Sequence, residues 1–272
     1  MVRSLWTGAT GMIAQQLNVD NIANNLANVN TTGYKTEVME FKSLLYQTIQ
    51  TRSTTANVEQ KPIGAEVGLG VRNSSITSIF TDGNLLETPG ATNFAISGKG
   101  FFGIQGADGN TYYTRNGNFV FAIGSQGMVL TTSDGLPVLD SEGEPIVLED
   151  EDIVTSKITA DKYGTLYYPD EEGIPQSMEI TLGLWQFNNP AGLHKNGDSL
   201  YSVTEASGEA MNEAENENLP KSRLTQGYLE GSNVQIADEM VNLIVAQRAY
   251  EMNSKVITTS DEMLQQANQL KR

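Results

Sequence analysis

The sequence contains no cysteine, only one histidine and no long run of apolar residues. Without cysteine there is neither a disulfide framework nor thiolate chemistry, and His194 alone cannot supply the ligands of a zinc site. Nothing approaches the ~20 consecutive apolar residues of a membrane span, so we expect no membrane insertion. Polar residues such as Thr10, Gln15 and Gln16 interrupt the N-terminal segment, so we expect no cleaved signal peptide.

Basic charge is also scarce. Lys and Arg number 17 against 33 Asp and Glu, which gives a formal net charge of −16. The whole excess lies in residues 81–220, which hold five basic and 22 acidic side chains, whereas both ends are nearly neutral. This balance argues against nucleic acid as a partner. The acidic runs are typical of solvated loops, and Ca²⁺ binding is a minor alternative because no loop has spaced ligands.

Catalytic motifs are lacking as well. Residues 98–103 (GKGFFG) match the G-x-G-x-x-G consensus of dinucleotide-binding loops. Such a loop must be followed by a helix, but here a β pattern follows, which favours a glycine-rich strand turn. A Ser-His-Asp triad would have to use His194, which lies in a predicted turn. We therefore predict no catalytic residue, no cofactor and no metal site, and a protein that is not an enzyme.

What the sequence does contain is an apolar stripe of heptad spacing at each end. Such spacing indicates helices that bury a narrow seam against other helices, so the two ends are suited to pack against each other or against other copies of the chain. An isolated helix would leave its apolar seam exposed and would be only marginally stable in water. We therefore expect both seams to be assembly surfaces rather than intrachain core. On the C-terminal helix, five further residues are predicted to lie on the same side as the seam: Val245, Ala249, Met252, Val256 and Met263. The predicted assembly interface comprises Leu5, Met12, Val19, Ile22, Leu26, Val29, Ile236, Met240, Leu243, Tyr250, Ile257 and Leu264.

Local signals predict where these helices begin and end. Ser232 and Gln235 have the spacing of a capping box before a helix over 235–270, and Gly33 can take the left-handed conformation after the first helix. The first helix also carries an asparagine face opposite its seam. That face is either solvated or a second interface made of amides, which both donate and accept hydrogen bonds. Its members are Asn18, Asn21, Asn25 and Asn28.

Between the ends, short apolar or β-branched runs alternate with turn dipeptides such as Asp108-Gly109 and Asp134-Gly135, a pattern typical of antiparallel hairpins. The fold class is thus mixed α and β, with long terminal helices forming a coiled-coil-like bundle and an antiparallel all-β middle domain. The predicted domains are an assembly helix and turn at 1–45, an extension at 46–70, a β domain of one or two lobes at 71–225, and an assembly helix at 226–272.

Several segments resemble one family. Residues 23–35 (ANNLANVNTTGYK) closely resemble the N-terminal signature of bacterial flagellar rod and hook proteins. The matching C-terminal and middle signatures are found at 229–234 (LEGSNV), 239–241 (EMV), 247–251 (QRAYE), 253–255 (NSK), 100–102 (GFF), 113–117 (YTRNG) and 187–193 (FNNPAGL). The family motif positions carried over are Asn24, Asn25, Asn28, Thr32, Gly33, Gln247, Arg248 and Tyr250.

Within the family, residues 3–7 and the segment 45–72 resemble the distal-rod members, and the extension at 46–70 is one that hook proteins of the family lack. The sequence departs from the usual family pattern at 89–92 and at Gly231. The alternative that the chain is a close paralogue, another rod subunit of the same family, therefore stays open. From other classes, an extracellular β-domain binding module and, less favoured, a β-rich enzyme remain alternatives.

The resemblance implies a structural subunit that polymerises into the distal rod, the drive shaft that transmits torque from motor to hook. It implies as partners further copies of the chain, other rod subunits, the hook protein, surrounding ring proteins and the flagellar type III export apparatus. It also implies a location in the flagellar basal body, in the cell envelope outside the cytoplasmic membrane.

Overall fold

The computed structural model describes residues 2–50, 65–124, 127–148, 154–170, 174–216 and 219–270. The chain divides into two compact units, neither of which is continuous in sequence. The helical unit comprises the described parts of 1–27, 37–77 and 235–272, and the β unit comprises those of 28–36 and 78–234.

The helical unit contains both long helices, α1 (Val2–Ala27) and α2 (Ile236–Gln269), which pack against each other. Their presence at the two ends confirms the prediction of terminal helices around a β-rich middle. Strand β1 (Glu37–Ser43) pairs with β4 (Val71–Ser78), and β2 (Tyr46–Gln50) pairs antiparallel with β3 (Ala65–Gly68). The ends of the predicted extension therefore form a ladder, while its residues 51–64 lie outside the described residues.

The predicted capping box is wrong. The residue preceding α2 is Gln235, and no side chain caps the helix. The Ser232 hydroxyl instead accepts a hydrogen bond from the backbone N–H of Val234 at 3.2 Å, because the chain is still extended there and has not begun to turn. Gly33 has the left-handed conformation expected of it, with a φ of +70°.

The β unit begins with short strands and is antiparallel in every ladder registered among its described residues. Its strands are β5 (Leu85–Glu87), β6 (Phe94–Ser97), β7 (Phe101–Gln105), β8 (Thr111–Thr114), β9 (Phe119–Gly124), β10 (Gly127–Thr132), β11 (Val147–Leu148), β12 (Thr159–Ala160), β13 (Thr165–Pro169), β14 (Pro175–Thr181), β15 (Leu184–Gln186), β16 (His194–Gly197), β17 (Leu200–Ser202), β18 (Met211–Asn212), β19 (Arg223–Gln226) and β20 (Tyr228–Glu230).

These strands form a six-stranded sheet of order β16-β17-β8-β7-β15-β18, two three-stranded sheets, β11-β10-β9 and β12-β13-β14, and the pairs β19-β6 and β20-β5. The last two pairs join strands from opposite ends of the unit. The β unit therefore includes the segment just before α2.

Two apolar clusters fill the β unit. The larger is aliphatic with three phenylalanines, and the smaller is built from aromatic rings around Trp185, with Tyr113 edge-on at 5.8 Å between centroids. A β-carbon at Gly103 would lie 2.2 Å from the Trp185 ring, so glycine is needed there for the indole to lie on strand β7. Since residues 98–103 run from a turn into β7, the strand-turn interpretation of that glycine-rich segment is confirmed.

Candidate assembly surfaces

The helices α1 and α2 meet through small residues. A β-carbon at Gly8 would lie 2.9 Å from Ile257 Cγ1, and one at Gly11 would lie 2.8 Å from the side-chain amide nitrogen of Asn253. The hydroxyls of Ser4 and Ser260 are hydrogen-bonded at 3.0 Å. Small side chains on one helix leave room for larger side chains on the other, so the two backbones approach closely.

Because of this contact, some residues of the predicted seam are buried within the chain and others are exposed. Ile22 is buried, and Ile257 packs against Gly8 within the same chain, so the expectation that the seams lie outside the intrachain core is wrong for these residues. These residues instead follow the alternative that the two terminal helices pack on each other, which the glycines of α1 make possible. Leu5, Met12, Val19, Leu26, Val29, Leu243 and Leu264 are half-buried, and Ile236, Met240 and Tyr250 are exposed.

A second apolar strip runs along α2, on a different face from Ile257. At 100° per residue it is centred about a third of a turn away from the Ile257 face, so its members do not share the seam's side as predicted. In the described chain all of them are well exposed. The strip comprises Val241, Val245, Met252, Val256 and Met263, with exposed fractions of 59, 62, 65, 47 and 46 %.

An apolar surface on α1 was not singled out from the sequence. Trp6, Ile13 and Leu17 are 66, 61 and 43 % exposed, and on a helical wheel they lie away from the α2 contact. Their spacings of seven and four residues are themselves a helical-face pattern. The sequence therefore contained this signal beside the stronger heptad at Leu5.

Two grooves flank the contact between the helices. One is lined by Gln16, Val19, Gln247, Tyr250 and Glu251. The other is lined by polar residues and three members of the second strip, namely Ser4, Met252, Lys255, Val256, Thr259, Ser260 and Met263. The family motif positions Gln247 and Tyr250 thus lie beside the predicted seam residue Val19, in a surface open to solvent.

The asparagine face of α1 is an interface with the chain's own strand β1. Asn21 and Asn25 each donate a side-chain hydrogen bond to the Glu37 carbonyl at 2.8 Å, and the Glu37 N–H donates to Asn25 Oδ1 at 2.9 Å. Both asparagines are buried. The solvated-face interpretation is therefore wrong for these two, because their amides satisfy the backbone groups at the start of β1.

Asn25 also bonds the carboxylate of Glu239, a mostly buried residue in the first turn of α2. Burial raises the pKa of Glu239 above its ordinary value, the hydrogen bond from Asn25 opposes this rise, and the neighbouring charge of Asp238 adds to it. The helical unit thus contains one carboxylate whose charge is disfavoured by its surroundings.

Of the remaining N-terminal motif positions, Asn24 lies on α1, whereas Asn28, Thr32 and Gly33 lie in the β unit. Asn28 Oδ1 accepts a hydrogen bond from the Thr31 hydroxyl at 3.1 Å, and the Thr32 hydroxyl lies 3.0 Å from Asn116 Oδ1. The N–H of Gly33 donates to the Glu230 carbonyl at 2.8 Å. On the helices, Asn24 and Arg248 are exposed, and Arg248 pairs with Glu251 at 2.7 Å.

The described residues contain no group of three His, Asp or Glu placed to hold a metal ion. In the same residues neither helix is apolar over enough length to cross a membrane. His194, the only histidine, is exposed at the start of β16.

Comparison with known proteins gives one consistent result along the chain. Residues 5–35 match the model "Flagella basal body rod protein", residues 95–168 the model "Flagellar hook protein FlgE/F/G D1 domain", and residues 225–270 the model "Flagellar basal body rod FlgEFG protein C-terminal". The matched segments cover α1, the first part of the β unit and α2.

Whole-length relatives agree with these matches. The chain is 44% identical to "Flagellar basal-body rod protein FlgG" of Borreliella burgdorferi over 100% of both chains. It is 44% identical to the protein of the same name from Agrobacterium fabrum, over 96% of this chain and 97% of the relative. It is also similar to "Flagellar hook-basal body complex protein FlhP" of Bacillus subtilis, at 32% identity over 97% of each.

Proposed function

We propose that this chain polymerises into the distal rod through its terminal helices. It belongs to the family of flagellar basal-body rod proteins and is a structural subunit of the basal body in the cell envelope. The family is not known for enzymatic activity. Assembly with other basal-body components follows from membership.

The observation that carries the proposal is the second apolar strip of α2, from Val241 to Met263. A strip of exposed Val and Met side chains, well apart from the face that α1 covers, is unfavourable in water by about 25 cal/mol per Å² of apolar surface. Contiguous exposed apolar patches of this kind mark protein–protein contacts. A helix from another copy would cover the strip with the same geometry at every step of a helical polymer.

Apolar side chains on more than one face are typical of a helix that is enclosed in a bundle rather than lying on a surface. On α2 the covered face contains Ile257, the second strip contains Met252, and a third exposed set contains Ile236, Met240 and Ile244. On α1 the set of Trp6, Ile13 and Leu17 is also exposed. A coiled-coil-like bundle of helices from several copies would bury all of these sets together.

The charge distribution is compatible with this arrangement. Residues 1–80 contain six basic and five acidic groups, and residues 221–272 contain six of each. Near-neutral helices can be crowded together without like-charge repulsion, whereas the acidity of residues 81–220 favours a solvated position for the β unit.

In this proposal the helices at 1–45 and 226–272 form the shared bundle, the extension at 46–70 lies along neighbouring copies, and the β domain at 71–225 forms an outer layer. Bundled long helices supply the rigidity that torque transmission requires. The partners are further copies of this chain, adjoining rod subunits, the hook protein, surrounding ring proteins and the type III export apparatus.

A pair of charge insertions tests the proposal. Val245→Asp places an unpaired charge in the second strip, and such a charge costs several kcal/mol when it is buried in an assembly. The free subunit should keep its helical circular dichroism at 222 nm and its folded β unit, but it should form no filaments in electron micrographs. Ile257→Asp should instead weaken the α1–α2 contact within the subunit and lower the helical signal itself.

Thr258→Asp is the matched control, because Thr258 is exposed on α2 away from the strip and lies about four helical turns beyond Ile244, where the third exposed set ends. This variant should assemble like the parent chain. Filaments of normal length and number from Val245→Asp would show that the strip is not a contact surface.

A further inference from the structure

A buried group of charges lies in the β unit close to where the chain passes to and from the helical unit. Lys35, Arg115 and Glu230 are 1, 2 and 1 % exposed. The Lys35 ammonium lies 2.5 Å from Glu230 Oε1, and Arg115 binds the same carboxylate through Nε at 2.9 Å and Nη2 at 3.0 Å. Asp82, whose side chain is half exposed, accepts from Arg115 Nη2 at 3.1 Å.

The remaining polar atoms of this charge cluster are bonded to the backbone. Lys35 donates to the Thr81 carbonyl at 2.7 Å, and Arg115 Nη1 donates to the carbonyls of Gly98 and Gly100 at 2.7 Å each. The backbone N–H of Gly83 donates to Glu230 Oε1 at 3.0 Å. Glu230 therefore accepts from three distant parts of the chain.

Two of these parts, and Glu230 itself, lie next to the passages between the units. Lys35 lies just after α1 and before β1, residues 81–83 follow β4, and Glu230 ends β20 shortly before α2. Asn233 reinforces the same convergence: its Oδ1 accepts from the Thr36 N–H at 2.7 Å and its amide donates to the Ile79 carbonyl at 2.8 Å. The cluster thus holds the N-terminal and C-terminal entries of the β unit side by side.

The charge balance of the cluster depends on Glu230. Two fully buried cations face one fully buried carboxylate, and the remaining anion, Asp82, is half in solvent. Burial and the repulsion of Arg115 together lower the pKa of Lys35, despite its bond to Glu230. Burial by itself would raise the pKa of Glu230, but Arg115 and Lys35 outweigh it, so that this pKa lies below its ordinary value.

We propose that Glu230 is a latch that makes the folded β unit conditional on the presence of the C-terminal segment that precedes α2. Lys35 and Arg115 precede it by 195 and 115 residues, so during synthesis both cations exist long before their common partner. A β unit that closed without Glu230 would bury two cations without adequate compensation, which is strongly destabilising. Only a chain that has been extended to include the segment preceding α2 can therefore complete the fold.

The test is a rescue experiment on the full-length chain. In a Trp6→Phe background Trp185 is the only tryptophan, so its fluorescence reports urea unfolding of the β unit. Glu230→Gln should raise the unfolding equilibrium constant about a hundredfold. Adding Lys35→Met should lower the unfolding equilibrium constant of Glu230→Gln about tenfold, because it removes one unpaired buried cation and leaves Arg115 with Asp82.

Glu213→Gln is the matched control. Glu213 is also buried, but it accepts hydrogen bonds from Gln186 and Ser222 and has no basic partner among the described residues. Lys35→Met should therefore give no recovery in the Glu213→Gln chain. If Glu230→Gln does not fold at all, regained folding in Lys35→Met/Glu230→Gln supports the latch. Unchanged unfolding of Glu230→Gln, or equal recovery of both Gln variants, would overturn it.

Discussion

Gly8 of α1 lies so close to Ile257 of α2 that a β-carbon on residue 8 would come within 2.9 Å of Ile257 Cγ1. Gly8→Val should therefore separate the helices and destabilise the helical unit by about 1–3 kcal/mol, the range for overpacking a close contact. Thermal unfolding followed at 222 nm measures this loss. Ala23→Val, at an exposed position of the same helix, should unfold like the parent.

A compensating variant makes this prediction specific. Ile257→Ala removes the atoms that a larger residue 8 would meet, so Gly8→Val/Ile257→Ala should be more stable than the sum of the single changes implies. Strict additivity would mean that the two residues are not in contact.

The helical unit of the free subunit should open more readily than the β unit. Only one face of each helix is covered by the other, and the apolar strips on their remaining faces are exposed. Because helices gain most of their stability from packing of their apolar faces, the unit is less stable than one whose apolar surface is fully buried. Limited proteolysis should remove about the first 30 and last 35 residues before cutting the β unit. Amide exchange at Leu243 that is as slow as exchange at Phe102 in dilute subunit would contradict this.

Removal of residues 51–62 tests whether the extension rigidifies the polymer. These residues lie outside the described part of the chain, but strands β2 and β3 on either side of them pair with each other. We expect the shortened chain to form curved or compliant filaments in electron micrographs, because neighbouring copies lose a contact. A flexible linker would tolerate the deletion, so straight filaments of unchanged stiffness would refute the prediction.

Glu239 should give the helical unit a pH dependence of definite sign. Its pKa is raised above the ordinary 4.5 by burial, so the ionised form weakens the fold at neutral pH. As pH falls through the raised pKa towards 4.5, that penalty disappears and the unit gains stability. Thermal unfolding between neutral pH and about pH 4.5 measures the gain.

Glu239→Gln should raise the melting temperature at pH 7 and flatten this dependence, since no charge remains to be buried. Glu262→Gln, on the exposed surface of α2, should do neither. Identical slopes for the parent and Glu239→Gln would show that another group is responsible.

Much of the architecture could be predicted because it depends on local patterns. The heptad from Ile236 to Leu264 identified α2, and the predicted bounds of 235–270 lie within a residue of those observed. Asp108-Gly109 marked the turn of the β7–β8 hairpin. Helical periodicity and turn chemistry act over a few residues, so they can be detected without knowledge of the partner. The capping-box prediction was wrong because a matching spacing at Ser232 and Gln235 does not show at which residue the helical conformation begins.

The sequence by itself determined that helices lie at the two ends, that the middle is antiparallel β, and which family the signatures at 23–35 and 247–251 resemble. Only the tertiary structure decided which faces meet. Whether Ile257 faces another copy or Gly8 depends on the close approach of segments almost a full chain length apart. The same holds for Glu230, whose role requires Lys35 and Arg115 in three dimensions, since no periodicity links charges separated by 195 and 115 residues.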